Sequence, residues 1–209
     1  MRIGIITDSF TPLKNSGAIQ IMDLALEFVR QDHQIVVITP SSEIKEPFLF
    51  ENLDGVQVLR LKSPKIRNIG YSRRAIAELL MPFMMIHRLK RSPLIDEKLE
   101  GVITYAPSIF LGPISKYLRT RNKCKNYLII RDLFPQWAVD VGLLSVSGLP
   151  YFFLKIIERY LYSTANIIGV QTPANLAYFN KDLVSSEVNL EVLQNWLAIN
   201  NAKSCSIVI

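Results

Sequence analysis

Two cysteines, two histidines and nine glycines are all that this chain of 209 residues has of three residue types on which much protein chemistry depends. Cys124 and Cys205 stand far apart, so neither a disulfide framework nor a cysteine metal cluster is available, and a reducing, cytoplasmic setting is the default. His33 precedes a strand and His87 closes a basic helix, both without a partner at ligand or catalytic spacing, and both read as structural or surface residues. The glycines make neither GxGxxG nor GxxxxGK[ST], which removes the dinucleotide fingerprint and the P-loop. The apolar run Leu79 to Ile86 has eight residues, where a bilayer crossing needs about 20. The opening run after Arg2 is short and leads into Thr7-Asp8, unlike a signal peptide.

What is present is apolar material, 49% of the chain, enough for one good core and one expected domain. Its +6 charge is unevenly placed. Between Arg60 and Arg91 stand nine basic residues and one acid, Glu78, so this window carries +8 and the remainder −2.

Strand-length apolar runs alternate with helical stretches, the pattern of parallel strands joined by crossover helices. Seven strands are predicted, over residues 2–7, 34–39, 56–61, 100–105, 126–131, 166–171 and 190–194. Helices are predicted over 17–31, 73–91, 108–121, 136–143, 148–163 and 173–182, and long loops over 40–55 and 62–72. Continuous Val/Ile/Leu runs fit strands covered on both faces. The fold class is α/β, a Rossmann-like three-layer domain with a mainly parallel sheet.

In such a sheet ligands sit outside the carboxyl ends of the strands. Arg131 and Asp132 follow the run Tyr127-Leu128-Ile129-Ile130 and stand in that position, as substrate contacts or as a structural salt bridge. The first strand opens through Pro12 and Asn15-Ser16-Gly17-Ala18 into a helix amino terminus, an arrangement that favours phosphate but is equally an ordinary strand-to-helix turn. Ser108 and Thr172 follow two further strands, either lining the same rim or capping the helices behind them. Glu43 and Glu51 share a loop with no other chemistry around them.

Residues 71–91 frame an apolar stretch with Arg73, Arg74, Arg88, Lys90 and Arg91. That suits a helix lying in the interface of an anionic membrane, and it also suits a crossover helix with solvated ends. Pro82 predicts a kink or two short helices. Nucleic acid is not expected as a partner, because aromatics are not interleaved with the cations.

Together, the Pro12 and Gly17 loop, Tyr105-Ala106-Pro107-Ser108, the run Arg131-Asp132-Leu133-Phe134-Pro135-Gln136-Trp137 and Val192-Leu193-Gln194-Asn195-Trp196 resemble the amino-terminal half of family 4 glycosyltransferases of GT-B fold. The resemblance spans residues 1 to about 197, and is greatest to bacterial O-antigen and capsule enzymes of the fucosamine transferase type. It implies a domain that holds the acceptor and faces a second domain holding the nucleotide sugar, with retention of anomeric configuration, no bound metal and no cofactor beyond that co-substrate. It implies that Ser16, Gly17 and Ala18 approach the reacting diphosphate or acceptor and that Asp132 lies on the acceptor side as a catalytic residue. The basic segment would dock on the inner face of the cytoplasmic membrane, near a polyprenyl-diphosphate-linked saccharide. Ser16-Gly17 replaces the two adjacent glycines usual in the family.

Asn195-Trp196 would open the linker to the second domain, with 198–209 as an irregular tail. The family's glutamate pair, seven residues apart, and its cations for the donor diphosphate belong to that second domain; Glu43 and Glu51 stand in the wrong half. The expectation is an acceptor-binding half that does not complete the reaction alone, either a truncated chain or one subunit of a split transferase. A non-enzymatic, membrane-associated binding or scaffold subunit is the alternative.

Overall fold

The computed structural model describes residues 1–179 and 183–196. Eight strands form one sheet: β1 (Arg2–Thr7), β2 (Gln34–Ser41), β3 (Phe48–Leu53), β4 (Val56–Lys62), β5 (Gly101–Ala106), β6 (Lys125–Ile130), β7 (Ile167–Val170) and β8 (Asn189–Val192). Their order is β3-β4-β2-β1-β5-β6-β7-β8, with every neighbouring pair parallel except β3 and β4. The helices are α1 (Ser16–Arg30), α2 (Tyr71–Leu89), α3 (Gly112–Asn122), α4 (Gln136–Asp140), α5 (Leu149–Ser163) and α6 (Pro173–Leu176).

Strand residues alternate between the two faces, and each face has its own helical cover. Ile5, Val37, Val58, Tyr105 and Ile129 meet Ile21 and Ala25 of α1 on one side. On the other, Ile6, Ile38 and Leu61 pack against Met81 and Met85 of α2 and Ile114 of α3, while Leu128, Ile130 and Ile168 pack against Leu161 and Tyr162 of α5. The helices α2, α3 and α5 thus form one layer, with α3 touching both of the others. A buried polar knot fastens this layer to the sheet. Asn126 on β6 accepts from Thr104 Oγ1 (3.0 Å) and donates to Ser115 Oγ (2.8 Å) and the Thr164 carbonyl (3.1 Å).

The sheet differs from the sequence reading by one strand. Residues 48–53, expected inside a loop, form β3, the antiparallel edge. A two-residue turn with positive φ at Asp54 (52°) and Gly55 (90°) joins it to β4, the backbone of the tight turns that suit a twisted hairpin. Pro82 does not break α2 either, because Met81, Met85 and Leu89 on either side of it are fully buried and hold the helix in one piece. The helix expected over 108–121 begins as a 3-10 turn, Ile109–Leu111, and α4 is shorter than expected. The far end of the helix expected over 173–182, and the expected tail over 198–209, lie outside the described residues.

The chain moves from β1 outward through β2 and β4 and then returns to the other side of β1 as β5. The segments leaving β1 and β5 therefore diverge to opposite faces, and a crevice opens between them at the carboxyl ends.

Candidate functional site

The crevice holds a cleft of about 300 Å³, lined among others by Ser16, Gly17, Tyr105, Arg131 and Asp132. Two-residue periodicity puts Tyr105, at the end of β5, and Arg131, just past β6, on the α1 side of the sheet. Above them stands the amino terminus of α1. Asn15 caps it, accepting from the Ala18 N–H at 2.8 Å and from Ser9 Oγ at 2.7 Å. Gly17 lies so close to Tyr105 that a Cβ there would sit 3.0 Å from Oη and 3.2 Å from Cε1. One side chain at this point separates a helix end that reaches the cleft from one that is pushed away.

Arg131 is the centre of the arrangement. Its guanidinium carbon lies 4.5 Å from the centre of the Trp196 ring and 5.8 Å from that of Tyr105. The Trp196 indole is anchored by its own N–H, which donates to the Gln20 carbonyl of α1 at 2.9 Å. Among the described residues, Arg131 Nε, Nη1 and Nη2 are buried without a hydrogen-bond partner, and neither Arg131 nor Asp132 forms an ion pair. The two charges are not the structural salt bridge that the sequence left open. Burial pushes the Tyr105 phenol above its usual range, against the pull of neighbouring Arg131.

A second cavity of about 380 Å³ adjoins the first, sharing Ser9, Asn15 and Pro107 with it. It is lined by Asp8, Arg67, Arg74, Glu78 and Ser108. Asp8 stands one residue past β1, its Oδ1 buried without a hydrogen-bond partner among the described residues. Burial pushes its carboxyl up to about 6, with Arg67 opposing the shift and Glu78 adding to it. Arg67 Nη2 donates to the Asp8 carbonyl at 3.1 Å, and Arg74 Nε to Glu78 Oε1 at 2.9 Å.

The sequence-predicted residues divide accordingly. Ser16, Gly17, Arg131 and Asp132 come together in the first cleft, while Ala18 is buried beneath it. Ser108 borders the second cavity, and its Oγ accepts from the Phe110 N–H at 3.4 Å. Thr172 forms a capping box with Asn175 at the start of α6 and does not line the cleft; its neighbour Gln171 does. Of the basic set, Arg74 turns into the second cavity, Lys90 lies 5.5 Å over the Tyr117 ring, and Arg73 and Arg91 are exposed. Arg88 is partly buried. Glu51 pairs with Arg60 at 2.5 Å and Glu43 stays apart on another cavity's rim.

Sequence reading passed over Asp8, Asn15, Gln20 and Arg67. Asp8 had the same signal as Arg131, a charge just past a buried strand, and Asn15 that of a helix N-cap; Gln20 and Arg67 are placed by tertiary contacts. Among the described residues no group of three or more His, Cys, Asp or Glu could hold a metal ion.

No family model matches the sequence, and no curated protein matches it. Solved structures do match its fold. Sucrose-phosphate synthase from Thermosynechococcus elongatus superimposes with a TM-score of 0.63 at 10% identity, over 94% of this chain and 90% of that one. The fold is that of one half of a GT-B structure. The catalytic domain of starch synthase IV from Arabidopsis thaliana, bound to ADP and acarbose, gives 0.60 at 11% identity, over 94% of this chain and 51% of that one. A UDP-glucosyltransferase from Polygonum tinctorium gives 0.57 at 5% identity, over 97% and 53%. Against the starch synthase and the glucosyltransferase, this GT-B half spans about half of the partner's length. Its crevice at the β1–β5 switch lies within that fold.

Proposed function

We propose that the chain is the acceptor-side half of a retaining family 4 glycosyltransferase of the fucosamine transferase type. It would move a sugar from a nucleotide sugar to a polyprenyl-diphosphate-linked saccharide in bacterial O-antigen or capsule synthesis. The single observation that supports this most is Arg131, a cation whose three nitrogens have no hydrogen-bond partner among the described residues, placed between two rings in the crevice of that fold. A guanidinium offers five donors and suits an anionic oxygen cluster such as a diphosphate. Glycosyl transfer from a nucleotide sugar leaves negative charge on the departing diphosphate, so a positioned cation stabilises the transition state more than the ground state. The free N–H groups at the start of α1, near Ser16 and Gly17, add donors on the same side. Asp132, exposed on the cleft wall, accepts a hydrogen bond from an acceptor hydroxyl in this reading.

The donor-binding half would be supplied by further chain or by a separate subunit, and the site of action would be the inner face of the cytoplasmic membrane. A non-enzymatic, membrane-associated binding subunit is the second reading, favoured by the exposed apolar residues of the helix layer. Joining or mixing the chain with a matching donor half, then supplying nucleotide sugar and lipid-linked acceptor, separates the two. Transfer that falls at least tenfold in Asp132→Ala and in Arg131→Gln supports the first. No transfer with a donor half proven on another acceptor half overturns it.

A further inference from the structure

The helix α5 is apolar on both of its faces. Leu161 and Tyr162 are buried on the sheet, yet Leu149, Phe152, Phe153, Ile156 and Tyr160 are exposed, by 85% at Leu149 and 65% at Ile156. At 100° per residue these five fall on one stripe opposite the buried face. The layer repeats the theme on α2, where Ile76, Leu80 and Phe83 point outward between exposed Arg73 and Lys90. A concentration of apolar surface on one layer marks a surface that something covers.

The charge on this layer identifies what. Across α2, α3 and α5 there are two carboxylates, Glu78 and Glu158, and both are buried and paired, with Arg74 and Lys155 respectively. The exposed charges on these helices are Arg73, Arg74, Lys116, Arg121 and Arg159, all cations. Lys116 lies 5.5 Å over the Tyr160 ring, at the edge of the α5 stripe. A second protein copy would bring the same cations face to face. Apolar ridges set among cations, without an exposed acid, complement instead an anionic lipid surface. Among the described residues no helix is long and apolar enough to cross a membrane.

We infer that the α2–α3–α5 layer is a membrane-docking face, with the α5 stripe entering the headgroup boundary of an anionic bilayer and the cations holding its phosphates. This deepens the membrane part of the proposed function and moves its anchor from α2 to α5. It shares no residue with the first cleft, and of its residues only Arg74 and Glu78 line the second cavity, neither of which the docking uses.

The test is vesicle flotation of the full chain, without sugar or nucleotide, so that glycosyl transfer can fail while docking stands. Binding to phosphatidylcholine vesicles containing phosphatidylglycerol is expected, with little to phosphatidylcholine alone. Phe152→Ser with Ile156→Ser should weaken binding at least tenfold, and Lys116→Glu with Arg159→Glu should do the same. Leu49→Ser, at the β3 edge, should leave it unchanged. A Phe152→Trp variant should gain fluorescence quenching by brominated lipid, a readout that needs no loss of binding. Wild-type binding by both double variants, no added quenching at residue 152, or a dimer that Phe152→Ser dissociates and that ignores vesicles would each overturn the inference.

Discussion

Arg131 and Trp196 stack with the guanidinium carbon 4.5 Å from the ring centre, so the segment after the last strand forms a wall of the cleft entered by the first helix. Such a contact contributes about 0.5–2 kcal/mol, with the larger values in desolvated sites. Trp196→Ala should therefore lower stability by about 1–2 kcal/mol in urea unfolding. Arg131→Gln should cost no more than that, because it also removes buried donors without partners among the described residues, while sugar transfer by the chain joined to a donor half should fall at least tenfold.

Asp8 gives the chain a stability term of defined sign. Its carboxyl is raised from 3.8 to about 6 in the fold, so between those values the native state holds more protons than the unfolded chain. Stability contributed by the neutral carboxyl is present at low pH and is lost as pH rises through about 6. The loss is at most about 3 kcal/mol, and less to the extent that water reaches the half-buried side chain. Asp8→Asn should match the wild type near pH 4 and exceed it at pH 7, as read by thermal unfolding across that range.

Asn126 is fully buried and occupies both ends of its amide in the knot with Thr104, Ser115 and Thr164. Asn126→Leu would leave those partners unsatisfied and should cost about 3 kcal/mol. Chemical denaturation should show a lower midpoint with an unchanged slope.

At Gly17 two effects oppose each other. Alanine would favour the helix by about 0.5–1 kcal/mol, but its Cβ would press on a Tyr105 ring that Arg131 backs. Overpacking of this kind costs about 1–3 kcal/mol, so Gly17→Ala should be net destabilising, and Gly17→Val more so. Pairing Gly17→Ala with Tyr105→Leu should recover part of the loss in a double-mutant cycle.

The strands β1, β2 and β4 to β7 were legible because continuous Val/Ile runs leave few other structures open to them. The strand β3 was not, because Phe48-Leu49-Phe50-Glu51-Asn52-Leu53 is an edge strand with half of its residues in water; only Asp54-Gly55 announced it, as a hairpin turn. Within the site, position past a strand end marked Arg131 and would have marked Asp8. Nothing local could have told that Tyr105 and Trp196 enclose Arg131, because those contacts exist only once β5, β6 and β8 share a sheet. The outward stripe of α5 was hidden for the opposite reason: a helix with apolar residues on both faces shows no single inner side, and only the packing shows which half is left outside.

The indole of Trp196 is fastened to α1, so the last described residue stands at the rim of the cleft itself. A donor half fused just after that residue would need only a short tether to reach the acceptor. Its effective concentration there would be about millimolar, and domain closure would be a local event, whereas a separately expressed donor half would have to earn the same encounter by affinity.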